Sequence, residues 1–236
     1  MGNMFSRCYA RSINLSSFRT PKLQQMYGMF SGCSVEELDL SKFDVSNIQN
    51  MRSVFCTCNA KSINLSGWST SKVDSMDSMF SNCKAQSLDL SSFDTSNVTG
   101  MANMFACCEA KSLNLKSFDT SKVTSMFHMF CGCHIKELDL SNFDVSRVRN
   151  MDMMFAYSEF GLLDLSSFDT KSLEDMDMIF FNCKIRGVDI SSLKHLNILK
   201  DGAPPESFKD GIKVKDANLK RALGSWYSDE DIDEDI

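Results

Sequence analysis

Phenylalanine recurs at positions 5, 30, 55, 80, 105, 130, 155 and 180, a 25-residue spacing with no insertion or deletion in it. Leu15, Leu40, Leu65, Leu90, Leu115, Leu140, Leu165 and Ile190 keep the same period, as do Cys8, Cys33, Cys58, Cys83, Cys108, Cys133 and Cys183. A unit of this length cannot bury its own apolar face and must stack on its neighbours. The period also absorbs an unusual composition. Of 16 Met, 14 fall in two columns that begin at Met1 and Met4, and 14 of 18 Phe fall in two others. These are core positions, so the Met stripe reads as packing and not as a soft metal or peptide surface.

Each unit opens with a strand pattern. In Ser-Leu-Asp-Leu-Ser (87–91) Leu88 and Leu90 alternate with Asp89, which points the leucines inward and the carboxylate outward. Asp94-Thr95-Ser96-Asn97 then supplies short polar side chains for a turn and a cap. Met51, Val54 and Phe55 follow Ile48 at three, six and seven residues, the spacing of a buried helical face, which predicts one or two α or 3₁₀ turns closing each rung. Helical turns are wider than strands, so the array is expected to curve with its strands on the concave side.

The outward strand column reads Asn14, Asp39, Asn64, Asp89, Asn114, Asp139, Asp164. Strands stacked about 4.8 Å apart would set like charges side by side if every rung carried Asp, and the Asn/Asp alternation keeps carboxylates two rungs apart until Asp139. Ala10, Ala60 and Ala110 follow the same slower rhythm, which points to a 50-residue duplicated pair. This column is the candidate binding face for a protein partner.

The recurring Leu-Asp-Leu-Ser-x-Phe-Asp-Thr/Val-Ser-x-Val-x-x-Met-x-x-Met-Phe-x-x-Cys, clearest over Leu88 to Cys108 and Leu113 to Cys133, resembles the BspA-type leucine-rich repeats of bacterial surface proteins over about residues 1–193. The resemblance implies a non-catalytic protein-binding or adhesive solenoid, secreted or anchored at a cell surface. The expected fold class is accordingly an α/β repeat: a leucine-rich-repeat-like solenoid of about eight 25-residue rungs over residues 1–199, each a short strand plus a short helical turn. Trp68 and Leu193 depart from the Phe column, Val54 and Ile179 from the second Met column, and Ser158 from the Cys column; all but Ser158 stay apolar. Residues 200–236 are expected to form a linker with Pro204 and Pro205, a short helix over 216–224, and an acidic tail.

Charge and motif content narrow the function. Asp229, Glu230, Asp231, Asp233, Glu234 and Asp235 account for the whole formal net charge of −6, so the repeats form no basic stripe for nucleic acid. That tail lacks the Gly and the bidentate Glu of a calcium loop. No run is long and apolar enough to span a membrane, and no signal peptide opens the chain. Met1 sits in the register of Met26, so the first rung is expected to be covered by upstream residues, an extra domain or a partner. Column cysteines have near-parallel Cβ vectors, which disfavours bridges between them and makes them reduced core thiols. Cys56, Cys107 and Cys131 lie off the column; with His128, Cys133 and His134 they define the one zinc arrangement worth weighing, although the two-residue Cys spacing of structural zinc is missing. The breaks at 127–134 and 157–161 carry no acid, base and nucleophile set, so neither catalysis, nor a metal, nor a cofactor is expected. Two classes of function remain: a protein-binding or adhesion module, and a structural component of a virion or other large assembly.

Overall fold

The computed structural model describes residues 2–189 together with Ile212 and Lys213. The strands are β1 (Glu37–Asp39), β2 (Ser62–Asn64), β3 (His134–Ile135), β4 (Glu159–Asp164), β5 (Lys184–Asp189) and β6 (Ile212–Lys213). All pair in parallel. The 25-residue period is the pairing register: Leu38 lies opposite Ile63, and Phe160 opposite Ile185. Isolated bridges such as Leu88 to Leu113 continue this wall where the strands are too short to be named. A second wall runs through single bridges from Gln25 to Asn50, Ser75, Gly100, Ser125, Asn150 and Asp175.

The α/β class expected from the helical spacing is overturned. Among the described residues there is no helix, and the segments read as helical turns form a ladder of tight turns. Over 26–33, the N–H groups of Met29, Ser31 and Cys33 donate back to the carbonyls of Met26, Gly28 and Phe30. The intervening N–H groups of Gly28, Phe30 and Gly32 donate to Arg52, Val54 and Cys56 of the next rung, at 2.9, 2.9 and 2.8 Å. Alternate donors thus serve the turn and the stack. A helix would spend every N–H on itself, and with a diameter of about 10 Å it would fan the outer side open and leave no rung-to-rung bridges there at the spacing of about 4.8 Å that the strands keep. A wall that keeps the same register as the strand side has to be one chain thick. The curvature expected from wide helical turns loses its basis with them.

Backbone conformation enforces this choice. Every described non-glycine residue with positive φ falls in one of two columns, from Asn3 to Met178 and from Arg7 to Asn182, joined there by Gly28, Gly32 and Gly132. Two left-handed residues within five positions break any α-helix. Glycine and asparagine, which tolerate that region best, fill seven of these sixteen positions.

The apolar columns form one continuous core. Phe rings stack from Phe5 through Phe30, Phe55, Phe80, Phe105, Phe130 and Phe155 to Phe180 with centroids 5.3–6.0 Å apart. Trp68 takes a Phe place and satisfies its indole by donating Nε1–H to the Leu40 carbonyl at 3.1 Å. Ser158, alone in the Cys column, is buried and donates to the Phe130 carbonyl at 2.7 Å, as the Cys133 thiol does toward the Phe105 carbonyl. The first rung is less covered: Phe5, Cys8, Ile13 and Phe18 are only partly buried, while Met4 and Tyr9 are exposed. Leu193, the short helix expected over 216–224 and the acidic tail lie outside the described residues.

Candidate binding surface on the strand wall

The outward residues of the strand wall stand in a row because each is the polar member of an inward-outward alternation. Asn14, Asp39, Asn64, Asp89, Asn114, Asp139 and Asp164 are all exposed. Their oxygens are not idle. In each case Oδ1 accepts the backbone N–H two residues on, from Ser16, Ser41, Ser66, Ser91, Lys116, Ser141 and Ser166, at 2.8–3.3 Å. This turn carries the chain off the strand toward the next anchor. Asn64 also donates Nδ2–H to Asp39 Oδ1 across the rungs at 3.0 Å, so here the alternation makes a hydrogen bond as well as separating charge. The backbone N–H and hydroxyl of Ser41 hold Asp39 below its ordinary carboxylate value, and the hydroxyls and then the N–H groups of Ser91 and Ser141 do the same for Asp89 and Asp139.

A groove of ≈730 Å³ opens on this wall over β3 and the two longest strands, β4 and β5. Of the expected column only Asp139 lines it. The rest of the lining comes from columns that the sequence pattern does not single out. Lys111, Lys136 and Arg186 occupy equivalent positions on three of four successive rungs, and Gly161 stands in their place on the third of the four. That glycine is required by a close approach, since a Cβ there would lie 2.4 Å from the Lys136 carbonyl oxygen. Its missing side chain leaves a notch between Lys136 and Arg186. Leu162, at 77% exposure the most open large aliphatic side chain described, borders the notch in a column that is Ser at 62, 87 and 112. His134 and Glu159 face each other across the register, with Nδ1 and Oε2 3.7 Å apart.

The cations of this groove differ from several others on the surface. Lys84 pairs with Glu109, Arg149 with Glu174, and Lys171 with Asp169. Among the described residues, no carboxylate lies within ion-pair distance of Lys111, Lys136 or Arg186. The signal in the sequence was the apolar residue at 162 inside a polar column, in the stretch where periodicity falters.

Among the described residues no three of His, Cys, Asp and Glu converge to hold a metal, the zinc arrangement around Cys107 and Cys131 included. His128 carries a buried Nε2 without a hydrogen-bond partner, and burial holds its imidazole below the ordinary value despite the opposing pull of Asp152. Within the described residues no helix is long and apolar enough to cross a membrane.

No curated protein and no solved structure matches the chain. Two overlapping stretches, residues 1–116 and 106–203, match the family described as Mycoplasma protein of unknown function, DUF285. Between them they cover every strand and turn described above except β6. The chain belongs to the DUF285 family.

Proposed function

We infer that this protein is a non-catalytic protein-binding module acting at a cell surface or in secreted form, and that its strand wall is the recognition face. The observation that carries this reading is the groove over β3 to β5, which brings together an exposed leucine, a backbone notch and three cations that have no carboxylate partner among the described residues. An apolar anchor flanked by charges is the composition of a protein-contact surface. The likeness of the repeat to BspA-type surface proteins supports the same reading. The outward column from Asn14 to Asp164 extends the face along the stack, although each of its side chains spends one oxygen on its own turn.

The test compares wild type with Leu162→Ser/Lys136→Glu and with Asp39→Asn/Asp89→Asn/Asp139→Asn, using cell-surface proteins captured on immobilised protein after crosslinking. The groove variant is expected to lose its captured partner at unchanged melting temperature. Undiminished capture by both variants overturns the reading.

A further inference from the structure

Seven cysteines lie in the Cys column, and the six described as buried cannot readily react. Burial pushes Cys108 up to about 11 and both Cys33 and Cys183 to about 12, with Cys83 and Cys133 raised further. Such thiols stay protonated and shielded. Two cysteines outside that column are placed differently, although burial raises the Cys131 thiol as well. Cys107 is exposed and Cys131 half-buried, and both sit on the outer side of the turn ladder, on adjacent rungs. The ladder ties them directly: Cys107 N–H donates to the Cys131 carbonyl at 2.7 Å.

Their geometry avoids the obstacle that separates the column thiols. Equivalent positions on stacked rungs keep parallel Cβ vectors, but Cys107 and Cys131 are 24 residues apart, one short of the register, so their side chains are not stacked copies of each other. Rungs bonded backbone to backbone lie about 4.8 Å apart, inside the Cα separation of about 4.4–6.8 Å that a disulfide spans. The residue in register with Cys107 is Gly132, and a Cβ there would lie 2.7 Å from Cys107 Sγ. The sulfur therefore leans over the backbone of residue 132, immediately beside Cys131. Gly132 has a φ of 70°, and Asn82 and Asn182 fill the same column, so the fold admits a side chain here; its absence leaves the space to the sulfur. Lys84, on the rung before, adds a cation: its ammonium is stabilised first by Glu109 and to a lesser degree by Cys107.

We propose that Cys107 and Cys131 form a thiol pair that low-molecular-weight disulfides convert into a cross-rung bridge, with Cys107 as the attacking thiol and Cys131 as the resolving one. The Cys107 thiolate attacks one sulfur of the small disulfide, breaking its S–S bond and releasing one small thiolate, and leaves a mixed disulfide on the protein. Cys131 gives its proton to water, and its thiolate attacks the Cys107 sulfur, expelling the second small thiolate. Two protein thiols are oxidised and one small disulfide is reduced to two thiols. The bridge locks one rung to the next on the side of the stack away from the strand wall.

The full chain is incubated with oxidised glutathione, quenched in acid, and mapped by mass spectrometry without reduction. The expected product is a single intramolecular Cys107–Cys131 bridge with no retained glutathione. Cys131→Ser and Cys131→Ala, residues that the fold already places in this column at Ser81, Ala106 and Ala156, should both stop at the glutathione adduct of Cys107. Gly132→Asn should form the adduct and lose the bridge, because its Cβ displaces the Cys107 sulfur. A wild-type product that keeps glutathione on Cys107, a bridge that includes a column cysteine, or no reaction at Cys107 overturns the proposal.

Discussion

Thr95 holds two backbone groups of the next rung with one oxygen. Its buried Oγ1 donates to the Asp119 carbonyl at 2.8 Å and accepts the Asp119 N–H at 2.8 Å. Thr20, Thr70 and Thr120 repeat the clamp on Asp44, Asp94 and Asp144. A hydroxyl in a buried column is tolerable because both of its functions are used. Val45 and Val145 occupy the same column and are also buried, so valine fits the space. Thr95→Val therefore isolates the hydrogen bonds from the packing. It should cost about 1–3 kcal/mol by leaving buried backbone groups unpaired, read as a lower unfolding midpoint and faster hydrogen exchange at the Asp119 amide. Unchanged exchange there would show that the clamp carries no stability. The sequence makes this column look like turn chemistry, since Asp-Thr-Ser-Asn is what a surface turn contains, and only the next rung's backbone reveals that the threonine points inward.

At the level of the element, the turn ladder shows what periodicity can and cannot encode. The spacing of Ile48, Met51, Val54 and Phe55 identifies the buried side chains correctly, since all four are buried. It does not identify the backbone that presents them, because overlapping tight turns place the same positions inward as a helix would. The deciding residues were visible: Asn3, Gly28, Gly32, Asn82, Asn103, Gly132 and Asn182 mark the left-handed columns. They were hard to read because Ser53, Thr57, Met153 and Tyr157 fill the same columns elsewhere. Those exceptions pay in strain. Thr57, β-branched and exposed at a φ of 55°, is the least suited of them. Thr57→Asn should stabilise by about 1 kcal/mol, given a left-handed penalty of about 1–2 kcal/mol for ordinary residues, measured as a raised denaturation midpoint. A destabilised variant would mean that the Thr57 hydroxyl, which donates to the Cys56 carbonyl at 2.6 Å, outweighs the strain. The groove was less legible still, because it arises from a missing side chain at Gly161 and one apolar substitution at Leu162, neither of which forms a motif.

For the whole molecule, the repeated Asx turns couple stability to pH. Hydrogen bonds from serine hold Asp39, Asp44, Asp89, Asp94, Asp119, Asp139 and Asp144 below their ordinary carboxylate value. A carboxylate whose folded value is depressed contributes stability that is complete above its unfolded value and lost as pH falls through the folded one. His128, depressed by burial, follows the same sign from a higher starting pH. Circular dichroism should show a stable plateau near neutrality, a shallow decline through the ordinary histidine range and a steep loss below the ordinary carboxylate range. A flat profile down to the strongly acidic limit would remove the carboxylate turns from the account. The cross-rung bond from Asn64 to Asp39 bears on a different property, the number of rungs. Since the backbone bonds between rungs link positions 24 to 26 residues apart, excising residues 51–75 rejoins the chain in register, yet it sets Asp39 beside Asp89 and removes the asparagine donor between them. Excising residues 51–100 sets Asp39 beside Asn114 instead. The double deletion should melt higher than the single one once each is normalised to its rung count. Length in this molecule would then have parity, and growth or loss during its history would favour even steps over odd ones.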